Sequence, residues 1–171
     1  HAAACGMVKT VMIVGGQRKN LPFFWLAEFP GTERGKMYCQ INAGGLYGLQ
    51  SYVAQVEVDI SKGLPCFDMV GLLDSEVREA RERLRVSLHH INAALPAEKI
   101  TVNYSPAGIV KSGTSFDLPT ALVILAAQGK VPPERLKELW AVGEVGLDAR
   151  IKQVRGVLAM LHAANQSAFR S

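Results

Sequence analysis

Residues 96–119 constrain the fold more than any other stretch, because a strand, a turn and a helix start follow one another there without a gap. Ile100, Val102 and Tyr104 alternate with Thr101, Asn103 and Ser105, the period-2 mark of a strand with one buried face. Pro106 ends that strand. Lys111, Ser112, Gly113, Thr114 and Ser115 read as a turn, and Asp117 stands where a helix N-cap belongs. Pro119 suits the first helical turn, where its missing N–H is not needed. The run Leu118–Ala127 is almost wholly apolar, and Gly129 fits the position that closes such a helix.

The flanking sequence repeats this alternation of strand and helix. Tyr38–Ala43 is a predicted strand and Gly44–Gly48 a turn. In Val53–Ile60, Ala54, Val56, Val58 and Ile60 share one face while Gln55, Glu57 and Asp59 share the other, as in an antiparallel strand with one wet side. Gly63-Leu64-Pro65 turns the chain into a strand over Cys66–Val70. Asp74 then caps a helix to about Asn92, whose buried stripe is Val77, Ala80, Leu84, Leu88 and Ile91. Its outer face pairs Glu79 with Arg83 and Arg78 with Glu82 at i,i+4. Further on, Glu134–Leu139 reads as a short helix, Trp140–Val145 as a strand, Arg150–Val154 as a return strand and residues 155–167 as a last helix.

Three ordered motifs carry a family resemblance. The first is Val53–Pro65 with the Tyr47-Gly48 that precedes it. The second is Val70-Gly71-Leu72 with Val77–Arg85. The third is Ile100–Ala107 followed by Lys111–Pro119. Together they resemble the first domain of the bacterial ComM/YifB proteins, the magnesium-chelatase-like AAA+ ATPases. The resemblance covers about residues 37–171 and implies a ribosomal-protein S5 domain 2-like fold, related to the proteolytic domain of Lon. The expected fold class is therefore α/β: a two-layer mixed sheet of five or six strands, with helices 74–92, 117–128 and 155–167 mainly on one face. Residues 1–36 fall outside the resemblance and read as an extension or artefact, with Met37 as the natural start. A strand contributed by that extension is the alternative. Leu73, Tyr104-Ser105 and Ser112 depart from the family pattern at a proline, a Leu-Ala pair and an acidic residue respectively.

The chemistry expected follows from what is present and what is absent. A P-loop needs Gly-x-x-x-x-Gly-Lys-[Ser/Thr]. The Gly-Lys pairs here, at 35–36 and 129–130, are followed by Met37 and Val131, so neither qualifies. By resemblance, ATP and Mg²⁺ belong to a following ATPase domain of the parent protein, and this chain binds no cofactor or metal itself. The implied partners are that AAA+ domain, neighbouring subunits of a hexamer, and DNA, in a cytoplasmic protein of competence or recombination. His89 and His90 are adjacent and make a poor metal pair. Cys5, Cys39 and Cys66 are too few and too scattered for a disulfide framework or zinc site.

Two sets of residues are site candidates. Arg78, Arg81 and Arg85, with Lys111, form a basic rim for DNA or a neighbouring subunit, set against the plainer reading of an ion-paired, solvated helix face. Ser115 aligns with the Lon nucleophile, just before a helix start whose N–H groups suit an oxyanion. The Lon pattern then requires a lysine where Leu158 stands, and leucine takes no proton. Lys111 and Lys152 are off-motif substitutes. The main reading is thus a non-catalytic accessory domain, and the alternative is a degenerate Lon-like serine peptidase using Ser115. The net charge of +4 is concentrated in residues 1–36, where five Lys/Arg face two Asp/Glu; residues 37–171 hold fourteen against thirteen. The basic pI of the chain therefore says little about nucleic-acid binding by the domain.

Overall fold

A computed structural model describes residues 10–13, 38–136 and 139–168. In chain order these form β1 (Thr10–Ile13), β2 (Tyr38–Tyr47), β3 (Gln50–Ser61), β4 (Cys66–Val70), α1 (Ser75–His90) and β5 (Lys99–Ser105). A 3₁₀ turn (Thr114–Phe116) leads into α2 (Asp117–Ala127). Then come α3 (Pro133–Leu136), β6 (Leu139–Val142), β7 (Glu144–Val145), β8 (Ile151–Lys152) and α4 (Val157–Ala168). Six strands make one sheet in the order β1-β6-β2-β3-β5-β4, and β7 and β8 form a separate ribbon. β2, β3 and β5 are antiparallel neighbours, while β1 with β6, β6 with β2, and β4 with β5 run parallel. The α/β mixed sheet expected from the sequence is the fold observed. Of residues 1–36 only Thr10–Ile13 is described, paired with Leu139–Val142. Met37 as a start point lies outside the described residues.

The core follows from the strand alternation. Ala54, Val56, Val58 and Ile60 of β3 line up with Ile41, Ala43 and Cys39 of β2 and with Ile100, Val102 and Tyr104 of β5, all buried on one face. Val77, Ala80, Leu84 and Leu88 of α1 close over that layer. Each fully buried Leu or Val there contributes about 1.5–3 kcal/mol of transfer free energy. Asp74 caps α1 as predicted, accepting from the Val77 N–H at 2.9 Å. All eleven residues of α2 are buried, so it is the central helix, apolar all round because it has no wet side. Gly129 ends it with φ +74, and the Gly129 and Lys130 N–H groups return to the Ala126 and Leu125 carbonyls.

Four local readings change. Gly44 and Gly45 belong to β2, which runs unbroken to Tyr47. They are glycines because rings lie against the strand: a Cβ on Gly44 would sit 2.3 Å from Trp140, and one on Gly45 would sit 2.3 Å from Tyr52. The expected strand Trp140–Val145 breaks at Gly143, whose backbone leaves the sheet to bond the start of α2. Asp117 is the first residue of α2 and makes no cap hydrogen bond. Finally, α1 and α2 share one face of the sheet while α4 takes the other. Trp140 and Val142 point away from Ala141 and pack with Met160 and Ala164 as a second small core.

Candidate functional site

The turn before α2 is held from three directions. The Lys111 N–H donates to the Leu72 carbonyl at 2.8 Å, and the Asp74 N–H donates to the Lys111 carbonyl at 3.0 Å. Gly113, with φ +80, then lets the chain reverse into the 3₁₀ turn. On the far side, the Gly143 N–H donates to the Ser115 carbonyl at 3.1 Å, and the Gly143 carbonyl accepts from the Leu118 N–H at 3.0 Å. Inside α2, Thr120 Oγ1 donates to the Phe116 carbonyl at 2.6 Å. Its one proton is thereby used, so the Tyr104 hydroxyl is the donor in the 2.9 Å contact to Thr120. Burial pushes the Tyr104 phenol well above its usual range.

Asp117 anchors the same junction. Arg83 Nε donates to Asp117 Oδ2 at 2.9 Å and Nη2 to Oδ1 at 3.0 Å, a bidentate fork from α1. The Val145 N–H adds a bond at 3.3 Å, and Arg83 Nη2 also reaches the Glu76 carbonyl at 3.0 Å. One carboxylate therefore ties together α1, α2 and β7. Burial drives the Asp117 carboxyl above its usual range while the guanidinium pulls it back down; the hydrogen bond to Asp117 raises Arg83 in turn. The sequence offers no sign of this pair: there Asp117 reads as a helix N-cap and Arg83 as the partner of Glu79. That contact is 3.9 Å long and secondary to the pair with Asp117.

Beside this junction is a cavity of about 480 Å³, walled by the 112–115 turn, Leu46, Glu76, Glu144, residues 153–155 and Met160. Ser115 lines it but is nearly buried, and its Oγ donates to the Gly44 carbonyl at 3.2 Å. Among the described residues, no lysine or histidine lines this cavity. Lys111 is fully buried, and its ammonium donates to the Pro106 carbonyl and, at 2.9 Å, to the Ile109 carbonyl. Burial lowers its pKa. Lys152 instead pairs with Glu144 at 3.4 Å, whose other oxygen accepts from Thr114 at 2.9 Å. Leu158, at the position the Lon pattern gives to lysine, points to solvent at 82% exposure. Ser115 thus lines a cavity, and among the described residues neither Lys111 nor Lys152 is directed to it.

The basic rim is brought together only in part. Arg78, Arg81 and Arg85 are all exposed on α1. Arg78 Nε donates to the Leu73 carbonyl at 3.2 Å, and Arg81 and Arg85 both approach Glu82, at 3.3 and 3.9 Å. Lys111 does not join them, because its ammonium is spent inside the 106–109 loop; as a phosphate or subunit contact it is corrected to a structural residue.

Comparison with known proteins places these features. A family described as subunit ChlI of Mg-chelatase matches residues 56–171. The chain belongs to this family. It is 39% identical over 120 residues to the competence protein ComM of Haemophilus influenzae and to YifB of Escherichia coli, covering 70% of the chain and 24% of each relative. A Mycobacterium tuberculosis protein is 38% identical over 119 residues, with the same coverage. The chain thus spans about a quarter of the length of these curated relatives.

Among the described residues, no three His, Cys, Asp or Glu side chains are grouped to hold a metal ion. Gly129-Lys130 lies at the C-terminal end of α2, the negative end of the helix dipole, whereas phosphate is held at helix N-termini. Among the described residues, no helix is long and apolar enough to cross a membrane.

Proposed function

We propose that this chain is a non-catalytic accessory domain of a ComM-like AAA+ ATPase, serving assembly or substrate contact in a cytoplasmic enzyme that acts on DNA during competence or recombination. ATP and Mg²⁺ are bound by the ATPase part of that parent, which works as a hexameric ring. The observation that carries this reading is the 39% identity to the competence protein ComM across 70% of the chain. The cavity around Ser115, lined by no lysine among the described residues, supports the non-catalytic half of it.

Two measurements on the chain test the proposal. The first is labelling by a serine-directed fluorophosphonate, compared with Ser115→Ala; the expected result is no labelling above the variant. Stoichiometric labelling of Ser115 would overturn the non-catalytic assignment. The second is titration with forked and linear duplex DNA at two salt concentrations. Salt-sensitive binding weakened by Arg78→Ala or Arg81→Ala assigns substrate contact to α1. No binding at low salt removes that role and leaves assembly.

A further inference from the structure

The open edge of the sheet carries an inference independent of the ATPase reading. β4 is the terminal strand, bonded on one side to β5. Among the described residues, no backbone hydrogen bond outside that ladder involves Cys66–Val70. Among the described residues its outer N–H and C=O groups therefore form an unpaired row, which a further strand pairs best. Proteins usually blunt such an edge with proline, lysine or a bulge. Here Pro65 lies just before the strand, and Asp68 is the one charge within it.

A groove of about 530 Å³ runs beside this edge, between β4 and the last two turns of α1. Phe67, Val86 and Leu95 give it an apolar floor, and Val86 is 39% exposed although it lies on a helix. Phe67 and Met69 face α1 while Cys66, Asp68 and Val70 face the opposite side, by register with β5. A strand added to β4 would send every second side chain to the α1 side, where the groove lies. The rim supplies Arg85, His89 and His90 against a single acid, Glu98. Arg85 is 60% exposed, and its one ion pair among the described residues, with Glu82, is as long as 3.9 Å through Nε, so its guanidinium has donors to spare.

We infer that β4 and this groove form an acceptor site for an extended peptide, which adds as a seventh strand, inserts alternate apolar side chains beside Val86 and places a carboxylate against Arg85, His89 and His90. Main-chain pairing supplies affinity and the groove supplies selectivity, the division of labour in strand-addition recognition.

A random dodecapeptide library displayed on phage is the probe, selected on the whole chain. The enriched peptides are then synthesised and measured by fluorescence anisotropy and amide hydrogen exchange. The expected peptides alternate apolar residues with at least one Asp or Glu and slow exchange in Cys66–Val70. They lose at least tenfold in affinity on Val86→Glu or Arg85→Glu. Both substitutions are at exposed positions, and matching circular dichroism and thermal melts establish that the variants fold. No enriched sequence, basic enriched sequences, protection confined to other strands, or unchanged affinity for Val86→Glu would each overturn the assignment.

Discussion

Replacing Asp117 by alanine removes the acceptor for three donors at once: Arg83 Nε, Arg83 Nη2 and the Val145 N–H. The Arg83 side chain is 21% exposed and that of Asp117 1%, so water replaces little of what is lost. A buried pair broken on one side costs about 3–5 kcal/mol, because the remaining charge is left uncompensated. That is a large share of the 5–15 kcal/mol typical of a domain. At about 3 °C per kcal/mol, the melting temperature falls by roughly 10 °C. Urea unfolding followed by circular dichroism measures the loss, and a cycle with Arg83→Ala and the double variant isolates the pair. The expected coupling is at least about 2 kcal/mol. The same cycle on the exposed Arg81–Glu82 pair, 3.3 Å apart, gives about 0.2–1 kcal/mol. A coupling for Arg83 and Asp117 inside that exposed range would refute the claim that this pair joins α1 to α2. The pH dependence follows by sign. Asp117 already titrates above its ordinary 3.8 because of burial, and removing Arg83 deletes the group that opposes this rise. A carboxyl raised in the folded state contributes stability that is full below its unfolded value and lost as pH climbs through the folded one. Arg83→Ala therefore falls further behind the wild type as pH rises from about 4.

Three other substitutions test the packing and the buried lysine. Gly44→Ala puts a methyl 2.3 Å from Trp140 Cζ2, and overpacking of this kind costs about 1–3 kcal/mol; a thermal melt with a shifted tryptophan emission checks it. Gly48→Ala meets nothing within 4 Å and is strained only by its φ of +60, so it costs about 1–2 kcal/mol and leaves the emission unchanged. Lys111 titrates below its ordinary 10.5 in the folded state, so the unfolded chain holds more protons in the window beneath that value. Wild-type stability relative to Lys111→Met rises with pH across the window and falls back as pH drops through the folded pKa. A flat difference between the two stability profiles would remove burial as the cause.

How much of this was legible depends on whether the signal was local. The strand faces of β3 and β5 and the stripe of α1 repeat every two or every three to four residues, and a period survives any tertiary arrangement. Asp74 and Gly129 were equally readable, since capping is settled within one helical turn. The glycines of β2 misled because two causes give the same residue. A turn needs glycine for its φ, and a strand under a ring needs it for its missing Cβ. Trp140 lies 96 residues from Gly44 and announces nothing in the local pattern.

Asp117 shows the same limit at the candidate site. Its place before Leu118 and Pro119 fits a cap by every local rule, and Arg83 fits an i,i+4 partner of Glu79. The structure replaces the first, because Gly143 and Ser115 already hold the start of α2 and free the Asp117 carboxylate to turn inward, and it keeps the second only as a longer 3.9 Å contact. Once inward, it needs a cation that can reach two oxygens in a fixed plane, and Arg83 is the α1 residue in place to supply that fork. A local clue does remain: Asp117 stands between Phe116 and Leu118, both fully buried. A charge embedded in an apolar run is costly unless something distant neutralises it. Arg83, 34 residues away, is what neutralises it here.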